Sequence, residues 1–314
     1  MRMLLLGYSS IARRRIIPAL RRLNIQELDI ASVSSDAPDG FEGRWFRDYH
    51  HALAESDAQV VYVSTTNNLH GPLAVQALQR GFHVVVDKPA CASLAEAQNL
   101  VEIAMSAGRC VAEATVYGYH PQVLKAVDLF EGRATRLLAA FNVPPFPASN
   151  YRYRPELGGG ADLDIGPYAV TPGRLFFNVA SLEIEARVLS EQQGVITSFS
   201  IISLYPEGRC LTGTFGFTTS YVNQLQILSS DLNIRMERTF SPPPDMGLEL
   251  QVRENNQNQT LGIAAADSFG RFLHSIFLAI GSGDFKSFGQ TLLFDAQELE
   301  ALRTALERSR QKGA

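Results

Sequence analysis

Three residues have side chains that exchange protons and stand where a site could form: Lys88, Asp164 and Tyr168. Lys88 follows the apolar run HVVVD, so it lies at the carboxyl end of a predicted buried parallel strand, the edge at which open α/β sheets bind ligands. Asp164 and Tyr168 are four residues apart and share one face if a helix begins at Ile165. Each residue also has a structural interpretation: a solvated loop lysine, a helix N-cap and a core aromatic ring.

The elements that would position Lys88 are indicated by the apolar pattern of roughly the first 115 residues. Runs such as QVVYVS and HVVVD are apolar on both faces, which is typical of parallel strands covered by helices. Their alternation with amphipathic stretches predicts a doubly wound, Rossmann-type α/β sheet. The predicted strands are 3–7, 28–34, 59–65, 83–87 and 110–114, and the predicted helices are 11–23, 48–55, 69–80 and 93–107.

Beyond about residue 118 the pattern changes to longer runs in which apolar and polar residues alternate, such as LEIEARVLS and VITSFSIISLY. These runs predict a large, mostly antiparallel open sheet with one face covered. We expect residues 1–118 to form a dinucleotide-binding domain and residues 119–314 an α+β domain for substrate binding and oligomerisation. Its predicted helices are 120–131, 166–177, 264–280 and 290–311.

The first strand-to-helix turn, LLLGYSSIA, is a candidate phosphate site. Gly7 supplies the tight turn, and the N–H groups of Ser9, Ser10 and Ile11 would face a pyrophosphate at a helix N-terminus. The usual fingerprint is G-x-G-x-x-G, and here Ser9 and Ala12 replace the second and third glycines. Serine adds some crowding and a further hydroxyl donor. An ordinary strand-to-helix turn remains the alternative for this stretch alone.

The end of the second strand indicates which nicotinamide cofactor such a turn would serve. An acid at this place favours NAD, and a nearby arginine accommodates the 2′-phosphate of NADP. The strand ends in Ser34 and Ser35, whereas Asp29 lies at its beginning, away from the ligand edge. With the arginines at 13–15 close by, these hydroxyls favour NADP slightly, unless the arginines only form a solvated helix face.

Composition excludes several functional classes. The net charge of −4 gives no basic field for nucleic acid, and no apolar run approaches the ~18 residues that span a bilayer. The cysteines at 91, 110 and 210 are odd in number and widely spaced, and the histidines show no ligand spacing. We therefore expect no metal site, no disulfide framework and a cytoplasmic protein.

The sequence resembles the glucose–fructose oxidoreductase / inositol dehydrogenase / MocA-type family in four stretches that cover most of residues 1–178. In order, they are LLLGYSSIARRRIIPAL, STTNNLHGPLAVQALQRGFHVVVDKP, VAEATVYGYHPQ and ELGGGADLDIGPYAV. The resemblance is greatest to the branch with NADP-dependent xylose dehydrogenases, dimeric dihydrodiol dehydrogenases and nucleotide-sugar ketoreductases. That branch ends the G-G-G-x-x-x-D-x-G-x-Y motif in tyrosine, as this chain does at Tyr168.

The resemblance implies a hydride exchanged between the nicotinamide of NADP or NAD and a carbinol or carbonyl carbon of a sugar, sugar derivative or cyclic polyol. Lys88 matches the lysine of the family's E-K-P motif and would stabilise a developing oxyanion, while Tyr168 matches the acid–base position. Either of these two residues could transfer the proton, and Asp164 would orient substrate hydroxyls or Lys88. The remaining implied cofactor contacts are Thr65, Thr66, Asn67, His70, Asp87, Lys88 and Pro89.

Departures from the family pattern keep other functions open. Asp87 replaces the usual glutamate, Thr66 the usual proline, and Gly118 an arginine, so the pocket would have lost a cation. The alternatives are a non-catalytic cofactor-binding regulator and an NAD-dependent glycoside-cleaving enzyme. We also expect a homodimer or homotetramer, because the apolar positions around 183–229 exceed what two covering helices can bury.

Overall fold

Residues 1–25 and 27–313 are described in this computed structural model, and the chain divides into two compact units. The first unit comprises Met1–Thr115 and Phe269–Ala296, and the second comprises Val116–Ser268 and the chain from Gln297 onward. A late segment of the chain therefore packs with the first 115 residues. Each unit has its own hydrophobic core.

The first unit is built on a parallel sheet whose central strands are buried on both faces, as the apolar runs predict. Among the described residues its strands are β1 (Met3–Leu6), β2 (Leu28–Ala31), β3 (Trp45–Phe46), β4 (Val60–Val63), β5 (His83–Val86) and β6 (Val111–Glu113). Their order is β3-β2-β1-β4-β5-β6. Strands β2 and β3 lie on one side of β1, and β4, β5 and β6 lie on its other side, so the switch point of the sheet lies between β1 and β4. Ligands bind at such a switch point, outside the carboxyl ends of the strands.

The second unit contains the predicted open sheet, in which one face is buried and the other exposed. Its described strands are β7 (Arg136–Asn142), β8 (Glu183–Gln192), β9 (Val195–Tyr205), β10 (Arg209–Gly216), β11 (Val222–Leu228), β12 (Leu232–Glu237), β13 (Leu248–Glu254) and β14 (Gln257–Ile263). The order is β14-β13-β12-β11-β7-β10-β9-β8. The β7–β10 pair is parallel and the other neighbouring strands are antiparallel.

The helices cover both sheets and match the predicted helices closely. They are α1 (Ile17–Arg22), α2 (Tyr49–Glu55), α3 (Asn67–Gln79), α4 (Leu94–Ala107), α5 (Pro121–Phe130), α6 (Ala161–Asp164), α7 (Gly166–Phe177), α8 (Ser268–Ser282) and α9 (Lys286–Gly313). The helix expected at 11–23 begins with a π-helical turn, Ala12–Ile16, before α1. In the described part of the chain, no helix combines the length and apolar character needed to cross a membrane.

The predicted second strand is shorter than expected. It was predicted to reach Ser34, but β2 ends at Ala31. The Ser32 hydroxyl accepts a hydrogen bond from the backbone N–H of Ser35 at 3.2 Å, and such a serine turn competes with the strand ladder. Ser34 and Ser35 therefore lie in the loop after β2.

Candidate active site

The turn after β1 can be made only by glycine. Gly7 has φ +101°, and a Cβ on it would lie 2.2 Å from the carbonyl oxygen of Ser64, which directly follows β4. The Gly7 N–H also donates to the carbonyl of Ala31 at 2.9 Å. The turn is thus pressed against the ends of both strands that flank β1, at the switch point of the sheet.

Ser9 directly precedes the first helical segment after this turn, and Ser10 and Ile11 stand at its start. Amides in the first turn of a helix have no acceptor within the helix, and together they form a site for an anion. A glycine-only turn and a row of such amides at the switch point fit the pyrophosphate of a dinucleotide.

The Ser9 side chain is committed to contacts within the protein. Its Oγ accepts a hydrogen bond from the Ala12 N–H at 3.0 Å and lies 2.8 Å from Ser64 Oγ. Ser64 Oγ in turn donates to Asp87 Oδ2 at 2.7 Å. A carboxylate only accepts hydrogen bonds, so the Ser64 hydroxyl donates to Asp87 and the Ser9 hydroxyl donates to Ser64 Oγ. Donors for a phosphate at this turn would therefore come from the backbone and not from the added hydroxyl.

Asp87 is the centre of this hydrogen-bonded chain. Its second oxygen, Oδ1, accepts from the Tyr62 hydroxyl at 2.8 Å, so Ser9, Ser64, Asp87 and Tyr62 form one connected set, which we call the Asp87 network. Asp87 immediately precedes Lys88, a half-buried residue whose peptide bond to proline is cis. The Asp87 network therefore ties the Gly7 turn to the turn that carries Lys88.

His70 connects two further pieces of the predicted cofactor wall. It is buried in α3, with Nδ1 2.8 Å from the carbonyl of Pro89 and Nε2 3.2 Å from the carbonyl of Thr65. Burial lowers the pKa of His70, which favours a neutral ring with a single N–H, and the nearer acceptor is Pro89. The ring nitrogens face backbone, so His70 positions the Thr65 and Pro89 segments.

The other predicted wall residues lie at the start of α3. Thr66 occupies the N-cap position, and its hydroxyl donates to the side-chain oxygen of Asn68 at 2.7 Å. Asn67 is buried as the first residue of the helix. The threonine that replaces proline here thus has a local partner and leaves the helix start intact.

Glu113, which the sequence analysis missed, holds the turn beyond Pro89. One carboxylate oxygen accepts from the Ala90 N–H at 2.7 Å, and the other accepts from the Thr115 hydroxyl at 3.0 Å. The available signal was its place at the carboxyl end of β6, the same sheet edge that carries Lys88.

An aromatic pair connects Arg13 with the loop after β2. The Arg13 guanidinium lies 5.5 Å from the ring centre of Tyr8, whose ring is 5.1 Å from that of Trp45. Trp45 Nε1 donates to the carbonyl of Ser35 at 3.2 Å, and the neighbouring Ser34 is exposed. This arrangement brings a cation to the side of the sheet where an adenosine ribose would lie.

Asp29 has a structural role, as its place at the start of β2 predicts. It is buried and forms an ion pair with Arg44 at 2.8 Å, and the Ser56 hydroxyl donates to it at 2.8 Å. Burial opposes the ionisation of Asp29, but the hydrogen bonds from Arg44 and Ser56 outweigh it, so the pKa of Asp29 is lowered.

In the second unit, the glycines at 158–160 fold back on the backbone that carries Arg152. Gly160 N–H donates to the Arg152 carbonyl at 2.9 Å. A Cβ on Gly159 would lie 2.6 Å from the carbonyl oxygen of Arg152 and 2.7 Å from that of Tyr151. The triple glycine is therefore required for a close backbone approach, and this approach sets the position of Arg152.

Arg152 binds Asp164 through both ends of its guanidinium. Nε donates to Asp164 Oδ2 at 2.6 Å and Nη2 donates to Oδ1 at 3.3 Å. Asp164 is the last residue of α6, and the N-cap position of α7 is Ile165, which makes no side-chain cap. The N-cap interpretation of Asp164 is therefore wrong, because its carboxylate is used in an ion pair.

Tyr168 lies in the first turn of α7, half-buried among aromatic rings. Its ring centre is 5.0 Å from Phe141, 5.5 Å from Phe240 and 5.9 Å from Tyr117. Asp164 is the last residue of α6 and Tyr168 the third residue of α7, so they belong to two successive helices and not, as their spacing predicts, to adjacent turns of one helix. Tyr168 also contributes to the field at Arg152: burial opposes the charge of that guanidinium, but Asp164, Tyr151 and Tyr168 raise its pKa.

Comparison with known proteins shows what this chain is similar to. Residues 1–115 match the model of the glucose–fructose oxidoreductase / inositol dehydrogenase / MocA family, described as an oxidoreductase family with an NAD-binding Rossmann fold. The chain is 28% identical over 311 residues to dTDP-3,4-didehydro-2,6-dideoxy-α-D-glucose 3-reductase from Actinomadura kijaniata, with 95% of this chain and 93% of that protein covered. The first 115 residues thus match the NAD-binding Rossmann fold of this oxidoreductase family, and the chain as a whole is similar to a sugar-nucleotide 3-reductase.

Two further proteins are similar to this chain along most of its length. D-Xylose 1-dehydrogenase (NADP(+)) 2 from Haloferax volcanii is 25% identical over 290 residues, 89% of either protein. The crystal structure of a 3-ketoreductase from Actinomadura kijaniata in complex with NADP and TDP-benzene has a TM-score of 0.91 and 28% identity, and 98% of both chains is covered. The predicted resemblance, fold class and NAD(P)-dependent oxidoreductase activity are confirmed.

Proposed function

We propose that this oxidoreductase reduces a ketone on the sugar of a sugar nucleotide, or oxidises the corresponding alcohol, with NADP as the preferred cofactor. The observation that carries the proposal is the Asp87 network, which joins the Gly7 turn to the Lys88 turn at the switch point of the sheet. The relatives named for 3-keto reduction of a dTDP-sugar match this chain along nearly its whole length and support the substrate class.

A nicotinamide bound in this site would supply the hydride for reduction or accept it in oxidation. The amides after Gly7 would hold the pyrophosphate, and the loop with Ser34 and Ser35, near Arg13, would hold the 2′-phosphate of NADP. When hydride adds to the carbonyl carbon, the C=O π electrons move to oxygen, and the ammonium of Lys88 stabilises that negative charge. Tyr168 gives its phenolic proton to the same oxygen and becomes a phenolate. In oxidation the proton returns to Tyr168.

Titration of the purified chain with NADPH and with NADH, followed by nicotinamide fluorescence, tests the cofactor assignment. We expect saturable binding of both, with NADPH bound more tightly. If neither cofactor saturates the protein, the Gly7 turn is an ordinary strand-to-helix turn and the proposal is wrong.

Turnover separates the proposed reaction from its alternatives. We expect NADPH absorbance to fall when a dTDP-linked keto-sugar is added, and both Lys88→Ala and Tyr168→Phe to remove most of this activity while cofactor binding remains. Glycoside cleavage through a transient oxidation would leave the absorbance unchanged, and a regulator would bind cofactor without any turnover. Full activity in Tyr168→Phe would contradict the proton-transfer role.

We further propose that the chain forms a homodimer or homotetramer through its large sheet and acts in the cytoplasm. The exposed face of that sheet carries Leu138, Thr212 and Ile202 in register on β7, β10 and β9. Leu138 is 44% exposed and Ile202 46% exposed, which is a large apolar exposure for neighbouring strands. The three cysteines are free thiols, which suits a reducing compartment.

A further inference from the structure

The connection between β2 and β3 has no crossover helix. The two strands lie side by side in parallel, and residues 32–44 join them. All of these residues are described, and none of them is in a helix. Parallel neighbours are usually joined by a helix that packs on the sheet and fixes the loops at its two ends. Other contacts must therefore hold the loop that carries Ser34 and Ser35.

Trp45, the only tryptophan of the sequence, makes such a contact from the start of β3, where it is half-buried. Its Nε1–H donates to the carbonyl of Ser35 at 3.2 Å, and the Ser35 N–H donates to the Ser32 hydroxyl at the same distance. Phe41, in the same loop, packs edge-on against the indole with 5.5 Å between the ring centres. Both backbone groups of Ser35 are thus engaged, and the loop is fixed beside the exposed Ser34.

The same indole ring supports the cation on the other side of the loop. The Tyr8 ring meets Trp45 edge-on, with 5.1 Å between the ring centres and 77° between the planes. The exposed Arg13 guanidinium lies 5.5 Å from the centre of the Tyr8 ring, a contact that restricts an otherwise mobile side chain. Asp36, the carboxylate next to Ser35, is paired with Arg47. The charge of Arg13 therefore remains available for an anion.

We propose that Trp45 is a positioning residue that sets the preference for NADPH over NADH. It holds the loop with Ser34 and Ser35 through its N–H and the Arg13 guanidinium through Tyr8, so that both meet the 2′-phosphate. A phosphate is bound tightly only when its donors are held at hydrogen-bond distance and angle. NADH has no 2′-phosphate, so it gains nothing from this arrangement. The inference rests on the proposed function, which places the cofactor at this edge of the sheet.

The dissociation constants for NADPH and NADH test this role in the full-length protein, followed by directly excited nicotinamide fluorescence. Trp45→Phe keeps a ring against Tyr8 but has no N–H for the Ser35 carbonyl. We expect its Kd for NADPH to rise by about fivefold, as the loss of one neutral hydrogen bond implies, and its Kd for NADH to stay at the wild-type value. Trp45→Leu loses the ring contact as well, so we expect a rise of about tenfold or more.

Phe285→Leu is the matched control. Phe285 is also a half-buried ring of the first unit, and it meets the His83 ring edge-on at the same angle of 77°. His83 begins β5, so this contact lies at the amino end of the strand, opposite the ligand edge. We expect neither dissociation constant to change in this variant.

A ligand without nicotinamide separates this inference from the proposed function. Adenosine 2′,5′-bisphosphate carries the same 2′-phosphate, and 5′-AMP lacks it. By titration calorimetry we expect Trp45→Phe to weaken binding of the bisphosphate by about fivefold and to leave binding of 5′-AMP unchanged. This result in a protein that oxidises no NADPH would support the inference and sink only the proposed function.

Two results would overturn the inference and leave the proposed function standing: an equal loss of affinity for NADPH and NADH in Trp45→Phe, the sign of a purely structural role, or no loss for either. If Trp45→Phe does not fold, judged by circular dichroism, Tyr8→Leu tests the same link. It removes the ring on which Arg13 lies and keeps the Trp45 hydrogen bond to the loop. An unchanged ratio of the two dissociation constants in Tyr8→Leu would likewise contradict the proposal.

Discussion

Ser9 takes the place of a glycine, and a hydrogen bond of its side chain to Ser64 gives a structural reason for the serine. Its hydroxyl lies 2.8 Å from Ser64 Oγ, which donates onward to Asp87. A glycine at this position could not join that chain of hydrogen bonds, so the serine gives up some space at the proposed phosphate site and gains a fixed connection to the Lys88 turn. The same connection makes Asp87 the residue on which both turns depend.

Replacing Asp87 with asparagine should lower the stability of the protein, its affinity for NADPH and its turnover rate. An amide offers one acceptor oxygen, so either Ser64 or Tyr62 would face an N–H group instead of a carboxylate. We expect a loss of about 1–3 kcal/mol in unfolding free energy, weaker NADPH binding and a lower turnover rate. Thermal unfolding and fluorescence titration measure the first two. Asp128→Asn, in an exposed pair with Lys125, is the control, and equal behaviour of the two variants would contradict the role of the Asp87 network.

Arg13 should determine the preference for NADPH. Removing its charge with alanine should raise the KM for NADPH by about tenfold, because a charge-assisted phosphate contact of that strength is lost, and should leave the KM for NADH unchanged. Arg21→Ala, an exposed arginine in the last turn of α1, is the control. An equal change for both cofactors in Arg13→Ala would place the 2′-phosphate elsewhere.

At the scale of elements, the pattern of apolar residues along the chain predicted the strands and helices that depend on that pattern alone. The buried runs of β4 and β5 gave parallel strands, and the helix predicted at 166–177 is α7. The partner of Asp164 was not predictable in this way. Arg152 reaches it only because the 158–160 turn lies against the backbone at 151–152, and no spacing rule encodes that approach. The π-helical turn before α1 likewise has no sequence signal that we recognise.

Gly159 offers a test of this element. In Gly159→Ala the new Cβ would overlap the carbonyl oxygens of Tyr151 and Arg152, so the turn must move and the ion pair with Asp164 should break. We expect turnover to fall by about tenfold or more and stability to fall by about 1–3 kcal/mol, while cofactor binding stays near wild type. Gly262→Ala in β14 is the matched control, because its Cβ would have no atom within 4 Å. Wild-type turnover in Gly159→Ala would show that Arg152 does not depend on the glycine turn.

At the scale of the whole molecule, the two sheets differ in what they leave exposed. The parallel sheet is buried on both faces, whereas the large sheet keeps one face open. That open face is not uniform. Gln226 and Arg235 lie in register on β11 and β12, and both are polar, while the part formed by β7, β10 and β9 carries Leu138 and Ile202. The apolar part is the one that a second copy would cover first.

An aspartate on that apolar part should therefore separate the subunits. In Ile202→Asp the carboxylate would lose its water on association without gaining a partner, so we expect light scattering at micromolar concentration to change from dimer or tetramer to monomer. The fold should persist, because Ile202 is 46% exposed and its replacement leaves no cavity in the core. Leu278→Asp is the control, since Leu278 is 61% exposed in α8, which belongs to the first unit and not to the large sheet. A wild-type protein that is already monomeric, or an Ile202→Asp variant that still associates, would move the interface away from this face.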